Sequence, residues 1–497
     1  MLQMDFPKPA RRRRSSERYP AAYAWLDELS GWWLLVITVF APWALACTVP
    51  WAIWSVCAGG YVMGALWVAK LLYMRSQSFD PGGSRDAGAS PWPMRVLWTL
   101  AFLLLAWSLT SALNWRSAVE FVDGRPELTY REAVAWLPQS FDRPASQKGF
   151  WRYLALALIF GSARHWFLGK SRHERHSSDA ASTIPGLPAR LRLWLWIVCG
   201  SGALLSLVSV MQRADGTDRL LWLLPMREGS EKSLAFGPFS YRANASQYFN
   251  LIWPICLGFW WAGRKATIEQ GPNVRLGGGA HAMLIPCLAI MFLAPLLSAS
   301  RGGVLVLAAL VIPALGVLAV SGGRAGRWAT VGGGLVFLFS IGLGWILGGD
   351  MLAERFRTIF TDHGSGRSEI YVTAHRMLDD FRWLGSGPET FSTLFGFYRR
   401  SAEEVWAGYA HNDYLEIQIT FGTIGLAAMV ILLGCIPWQV FRGTGIRVWW
   451  PFPTFVGLSL LGLLVHARAD FPFQMFILQL FFVLACAVLT VLRPTLR

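Results

Sequence analysis

Charge is scarce in this chain. Only 15% of its 497 residues are Asp, Glu, Lys or Arg, against about 25% in soluble domains. That shortage excludes an ordinary soluble globular protein. Cysteine is scarce too, with seven residues in all. Each (Cys47, Cys57, Cys199, Cys256, Cys287, Cys435, Cys486) falls inside or at the end of an apolar run. They act there as small apolar side chains rather than as a disulfide framework. No Cys–His spacing suits a metal, no repeat of fixed period is visible, and no basic patch on a soluble face offers a nucleic-acid surface. A small-residue cleavage site is missing after Arg11–Arg14, so the first apolar run is expected to stay as an anchor.

Apolar runs dominate what is present. The chain is 54% hydrophobic with 27 Trp, and its mean hydropathy is +0.39. The runs suit a hydrocarbon core of about 30 Å. Their continuity predicts helices rather than alternating barrel strands. The expected fold is therefore all-α: a polytopic membrane bundle of about twelve helices, with a large, partly helical periplasmic loop before the tenth. The expected spans are Trp32–Val49, Trp51–Tyr73, Val96–Leu113, Phe150–Leu168, Leu191–Met211 and Ala245–Ala262, then Ala282–Leu297, Val304–Val320, Trp328–Leu347, Tyr414–Trp438, Phe452–Val465 and Phe473–Leu492. This divides the chain into a basic N-terminus (1–31), nine spans (32–347), the loop (348–413), three spans (414–492) and a tail (493–497).

Charge sets the expected orientation. Segments alternating onto the side of Arg11–Arg14 hold 24 Lys/Arg against 9 Asp/Glu, counting residues at span ends; the other side holds 19 against 21. Positive charge collects inside, which places both termini in the cytoplasm and the 348–413 loop outside. The net charge of +15 thus reads as topology. Within the loop, Ile370, Ala374, Met377, Leu378 and Phe381 recur at helical spacing, which predicts an amphipathic helix over Ser368–Phe381. The Gly385–Pro388 stretch ends it.

Several reactive side chains fall on this outer side: Arg301 in a short Ser298–Gly303 turn, Arg367, His375, His411 with Asn412, and His466 with Asp470. Each has a structural reading as well. His411, Asn412 and Asp413 can simply open a helix. Arg301 can snorkel at the interface, Arg367 can be a solvated loop residue, His375 can lie on a helix surface, and His466 can bridge Asp470.

The order of these elements resembles the O-antigen ligase family. Ser300-Arg301-Gly302-Gly303, Gly366-Arg367, Gly385-Ser386-Gly387, and His411-Asn412 running to Gly422 and Gly425 follow one another as the family's motifs do. Gly237-Pro238-Phe239 through Asn244 and His466 through Pro472 resemble further family elements, so the match covers roughly 235–475. The resemblance implies a bacterial inner-membrane enzyme that moves a glycan from undecaprenyl pyrophosphate to an acceptor hydroxyl on lipid A-core, another glycan or a protein. It implies no cofactor and no metal. His411 would be the base; Arg301, Arg367 and Asn412 would bind substrate; His375, His466 and Asp470 are further candidates. A neutral imidazole suits proton removal near neutral pH, and guanidinium forks suit pyrophosphate oxygens. Polymerisation of repeat units, or transfer to a protein, would use the same chemistry. A metal-dependent transferase would keep acidic ligands in the first outer loop, where this chain has Cys47-Thr48-Val49-Pro50. A transporter would show repeated halves and deep charges.

Overall fold

The computed structural model describes residues 20–79, 81, 91–122, 125–171, 184, 187–217, 219–225, 235–270, 280–361, 365–400, 407–441 and 451–492. The basic stretch Arg11–Arg14 and the 493–497 tail lie outside the described residues. The described chain is overwhelmingly helical. Its helices are α1 (Ala21–Trp43), α2 (Pro50–Ser76), α3 (Pro91–Leu113), α4 (Arg143–Leu168), α5 (Ala189–Asp215), α6 (Arg242–Gln270), α7 (Leu284–Leu297), α8 (Arg301–Ser321), α9 (Gly323–Thr361), α10 (Ser365–Phe381), α11 (Phe391–Tyr398), α12 (Asp413–Phe441), α13 (Pro451–His466) and α14 (Phe476–Val491).

Each expected span overlaps one of these helices. Seven, namely α1, α2, α3, α5, α8, α9 and α12, are long and apolar enough to cross a membrane, and α7, α13 and α14 belong to shorter apolar helices. Several boundaries and one connection differ from expectation. Helix α1 begins at Ala21 rather than Trp32 and so takes Asp27 into the bundle. Helix α9 continues past Leu347 to Thr361, with a kink at Gly348, so the loop opens with helix rather than coil. The segment after α3 contains a small antiparallel hairpin, β1 (Ser117–Val122) on β2 (Arg125–Tyr130), which the apolar periodicity did not signal.

Small residues let the helices approach closely. A Cβ on Gly60 would meet Ile159 Cδ1 at 3.0 Å, and one on Gly64 would meet Leu158 Cδ1 at 2.8 Å. The four-residue spacing thus seats α2 on α4, as small-xxx-small packing does in membranes. One charged cluster was also unforeseen. Asp27 of α1 accepts from Lys70 of α2 at 3.3 Å and from Arg190 of α5 at 2.5 Å, all three being buried. Pairing of both cations with the one carboxylate is what offsets the cost of taking these charges out of water.

The amphipathic helix exists as α10. Its Ile370, Ala374 and Met377 are buried against Phe391, Leu394 and Phe395 of α11 and against Leu415 and Ile419 of α12. Burying side chains of this size contributes roughly 1.5–3 kcal/mol each. A second anchor joins this layer to α4, where Arg152 Nη1 lies 2.9 Å from both carboxylate oxygens of Glu389.

The Gly385–Gly387 stretch has a specific job. Helix α12 breaks at Gly422 (φ 71°, ψ 174°), which strands carbonyls that a continuous helix would pair. Ser386 N–H donates to Ile419 O at 2.8 Å, Gly387 N–H to Thr420 O at 3.0 Å, and Thr423 N–H to Arg382 O at 2.7 Å. Broken helices need such partners, because lipid supplies none. A Cβ on Gly422 would lie 2.0 Å from Trp383 O. Gly422→Ala is therefore expected to cost about 2–5 kcal/mol through positive φ and backbone collision. Thermal unfolding in detergent should show a clear drop in Tm. Gly434→Ala, in the same helix with open space around its Cα, should leave Tm near wild type.

Candidate functional site

The site is built where five chain segments meet: the start of α12, the α13–α14 connection, the start of α6, the α7–α8 turn and the start of α10. Buried carboxylates knit it together. Asp413, fully buried, accepts from Phe473 N–H at 2.7 Å and from Gln474 Nε2 at 2.9 Å. Its own N–H donates to Ala467 O at 2.9 Å. Glu416 reaches back to Ala410 N–H at 2.7 Å, which resembles a capping box displaced toward the preceding loop. Asn412 Oδ1 accepts from Leu415 N–H at 3.4 Å, a long helix-capping contact. Together these bonds hold the 407–412 approach against the 467–474 connection.

His411 sits at the centre. Its backbone is left-handed (φ 52°), an unusual conformation that turns the chain sharply before α12. Its carbonyl accepts from the Tyr371 hydroxyl at 3.1 Å, which ties it to α10. Its ring Nδ1 lies 3.2 Å from Asp470 Oδ1. The Asp470 side chain is 4% exposed and that of His411 is 24% exposed. A carboxylate at Nδ1 selects the Nδ1–H tautomer and leaves Nε2 with the free lone pair. The other carboxylate oxygen accepts from Gln247 Nε2 of α6 at 3.2 Å, so Asp470 is held from two sides. An aromatic stack supports the ring: Tyr241 and Tyr409 each stack on Phe471, at 5.4 and 4.4 Å between centroids, and His411 meets Phe471 edge-on at 4.8 Å. Burial pushes the Tyr241 and Tyr409 hydroxyls up to about 12, so both remain neutral donors.

Arg367 borders this pair, and the Arg301 turn approaches it through His466. Arg367, exposed at the start of α10, donates from Nη1 to Ala469 O at 2.9 Å, one residue from Asp470. It also lies against the Tyr241 hydroxyl. Arg301 opens α8, where the Ser300 side chain caps the helix by accepting from Gly303 N–H at 3.2 Å. Ala299 is left-handed (φ 53°), which tightens the turn. Asn250 Nδ2 donates to Gly303 O at 2.8 Å, fixing the turn to α6. A Cβ on Gly302 would meet His466 Nε2 at 2.9 Å. The Arg301 turn therefore packs on His466, and His466 on the Asp470 element.

The remaining candidates separate by environment. His466 is buried, and its Nε2 lies 3.9 Å from Asp470 Oδ2, too far for a hydrogen bond. It packs the end of α13 against the Arg301 turn. His375 is exposed on α10 and bonds the Tyr371 carbonyl of its own helix at 2.7 Å. Sequence reasoning missed Gln247, Tyr241, Tyr409 and Phe471 as partners. It also missed Arg213 and Arg242, which lie close enough to repel each other near Tyr241. The buried polar run Asn244, Ser246, Gln247 and Asn250 at the head of an apolar helix was the available signal. Among the described residues no group of three or more His, Cys, Asp or Glu side chains is arranged to hold a metal ion.

Residues 286–430 match the family model described as O-Antigen ligase, a stretch that runs from α7 through the Arg301 turn and His411 into α12. The resemblance read from the motifs is thus borne out over this segment. No curated protein matches the chain. The apolar helices are those of a membrane protein, and residues 286–430 form a segment similar to the O-antigen ligase family.

Proposed function

We propose that this protein transfers a glycan from undecaprenyl pyrophosphate to an acceptor hydroxyl on the outer face of the bacterial inner membrane, with both termini in the cytoplasm and without a metal. The observation that carries the reading is the His411–Asp470 pair beside Arg367. Asp470 holds Nδ1–H, and Nε2 takes the acceptor proton as the hydroxyl attacks the anomeric carbon. The bond from that carbon to the pyrophosphate oxygen breaks, and configuration inverts. Arg301 and Arg367 hold the pyrophosphate and stabilise the charge that builds on it as it leaves. Asn412 contacts substrate from the helix start. The imidazolium is discharged to water, and Asp470 stabilises it meanwhile without taking the proton.

A polymerase that accepts a second lipid-linked glycan would use the same groups, and only the acceptor would differ. The test supplies purified protein with a lipid-linked glycan and, in parallel, lipid A-core, a second lipid-linked glycan or a protein acceptor. Glycan transferred to lipid A-core with release of undecaprenyl pyrophosphate is expected. Transfer between carriers instead would identify a polymerase. Activity should survive a chelator; activity lost on chelation and restored by magnesium or manganese would overturn the metal-free mechanism.

A further inference from the structure

The end of the bundle opposite His411 contains a second site. A cavity of about 800 Å³ lies between the later half of α6, the first half of α7, the later half of α8 and the first half of α9. That volume falls in the range of small-molecule and cofactor pockets. Its walls are apolar, but four nitrogen-bearing side chains converge on it: Arg264, Arg324, Trp261 and His281. Arg264 and Arg324 are exposed and make no ion pair among the described residues. Trp261 Nε1 and His281 Nε2 are buried without a hydrogen-bond partner among the described residues. Buried polar nitrogens of this kind are normally satisfied, and Trp261 Nε1, which can only donate, marks where an acceptor belongs.

The geometry is built rather than incidental. A Cβ on Gly263 would meet the His281 ring at 2.2 Å, and the ring sits 5.3 Å from both Trp196 and Phe259. The imidazole is therefore seated in a notch that only glycine leaves open. A Cβ on Gly322 would meet Trp261 Cζ2 at 2.5 Å. That contact draws the end of α6, with Arg264, toward the α8–α9 turn, with Arg324.

We propose that this cavity binds an anionic phospholipid, its acyl chain filling the apolar interior and its phosphate engaging Arg264 and Arg324. Charge complementarity selects this occupant. A zwitterionic lipid would bring its own cation to two arginines, whereas an anionic headgroup brings no cation and supplies phosphate acceptors for the arginines and Trp261 Nε1. Basic pockets between membrane helices commonly hold such headgroups on the cytoplasmic side, which is where the charge-based orientation places this end. The site lies on the far side of the bundle from His411, and its occupancy does not depend on which acceptor the enzyme uses.

Native mass spectrometry of the purified protein, titrated with phosphatidylglycerol or phosphatidylcholine in mixed micelles, tests the proposal. Wild type should retain phosphatidylglycerol roughly 10- to 30-fold more tightly, as two basic contacts imply. Arg264→Gln with Arg324→Gln should abolish that preference. Gly332 lines the cavity, and a Cβ there would meet nothing within 4 Å. Gly332→Leu should therefore fill the chain-binding space without disturbing the fold and lower retention with both arginines intact. Equal retention of the two lipids by wild type would overturn the proposal. So would unchanged phosphatidylglycerol retention in either the double variant or Gly332→Leu.

Discussion

His411→Ala is expected to lower turnover roughly 10²–10⁴-fold, the usual contribution of a positioned general base. Donor binding should change little, because the imidazole faces the acceptor rather than the carrier. Exogenous imidazole should restore part of the lost rate, since a small base can occupy the space the side chain leaves. Asp470→Asn should reproduce much of the loss while preserving volume. The amide oxygen can still accept from Nδ1–H, but it no longer stabilises the imidazolium that forms. Asp470 also accepts from Gln247, so Gln247→Ala should give a smaller effect in the same direction. Expression and Tm must first match wild type, because the 407–416 segment also carries the Asp413 and Glu416 contacts that hold the helix start. Near-normal turnover in a well-folded His411→Ala would remove the base assignment and make His375 and His466 the next candidates.

Arg301→Ala should lower donor binding and turnover together. An arginine on the pyrophosphate acts in the ground state and more strongly in the transition state. Truncating one charge-assisted partner of a phosphate should lower kcat/KM on the order of 10²-fold. Arg301→Lys should rescue only in part, because an ammonium cannot fork across two oxygens. Arg367→Ala should show the same signature with an added structural cost, since Arg367 also ties α10 to Ala469 O. Steady-state kinetics with a lipid-linked glycan separates the cases. A fall in kcat alone at Arg301 would place it outside the pyrophosphate site, and unchanged activity in both alanine variants would remove the arginines from the mechanism.

Much of this molecule was legible before folding. A mean hydropathy of +0.39 and sparse charge dictate long apolar helices, because each backbone group in lipid must pair within its own segment. The helix expected over Ser368–Phe381, which begins at Ser365 in the structure, followed from period alone, because one face had to be apolar to rest on the bundle. The corner itself was legible as a set of side chains, since polar residues beside apolar runs stand out against their background.

What the sequence could not supply was the pairing. Asp470 stands four residues from His466 and 59 from His411, yet its hydrogen bonds run to His411 and to Gln247, 223 residues away. Spacing along a helix favours the local partner, and only the packing of α13 on α6, with the α13–α14 connection bonded to the start of α12, decides otherwise. The role of Gly385-Ser386-Gly387 was likewise hidden: a glycine-rich stretch reads as a helix end until Gly422 is seen to break α12 and leave carbonyls for it to satisfy. Lys70 reads as a stray charge in an apolar run until Asp27 and Arg190 close around it. Periodicity and composition are local properties, so they determined the helices, their apolar faces and the residue types at the corner. Charge neutralisation, tautomer selection and the satisfaction of broken backbone bonds join residues far apart in the chain, and for that reason they were decided only by the tertiary structure.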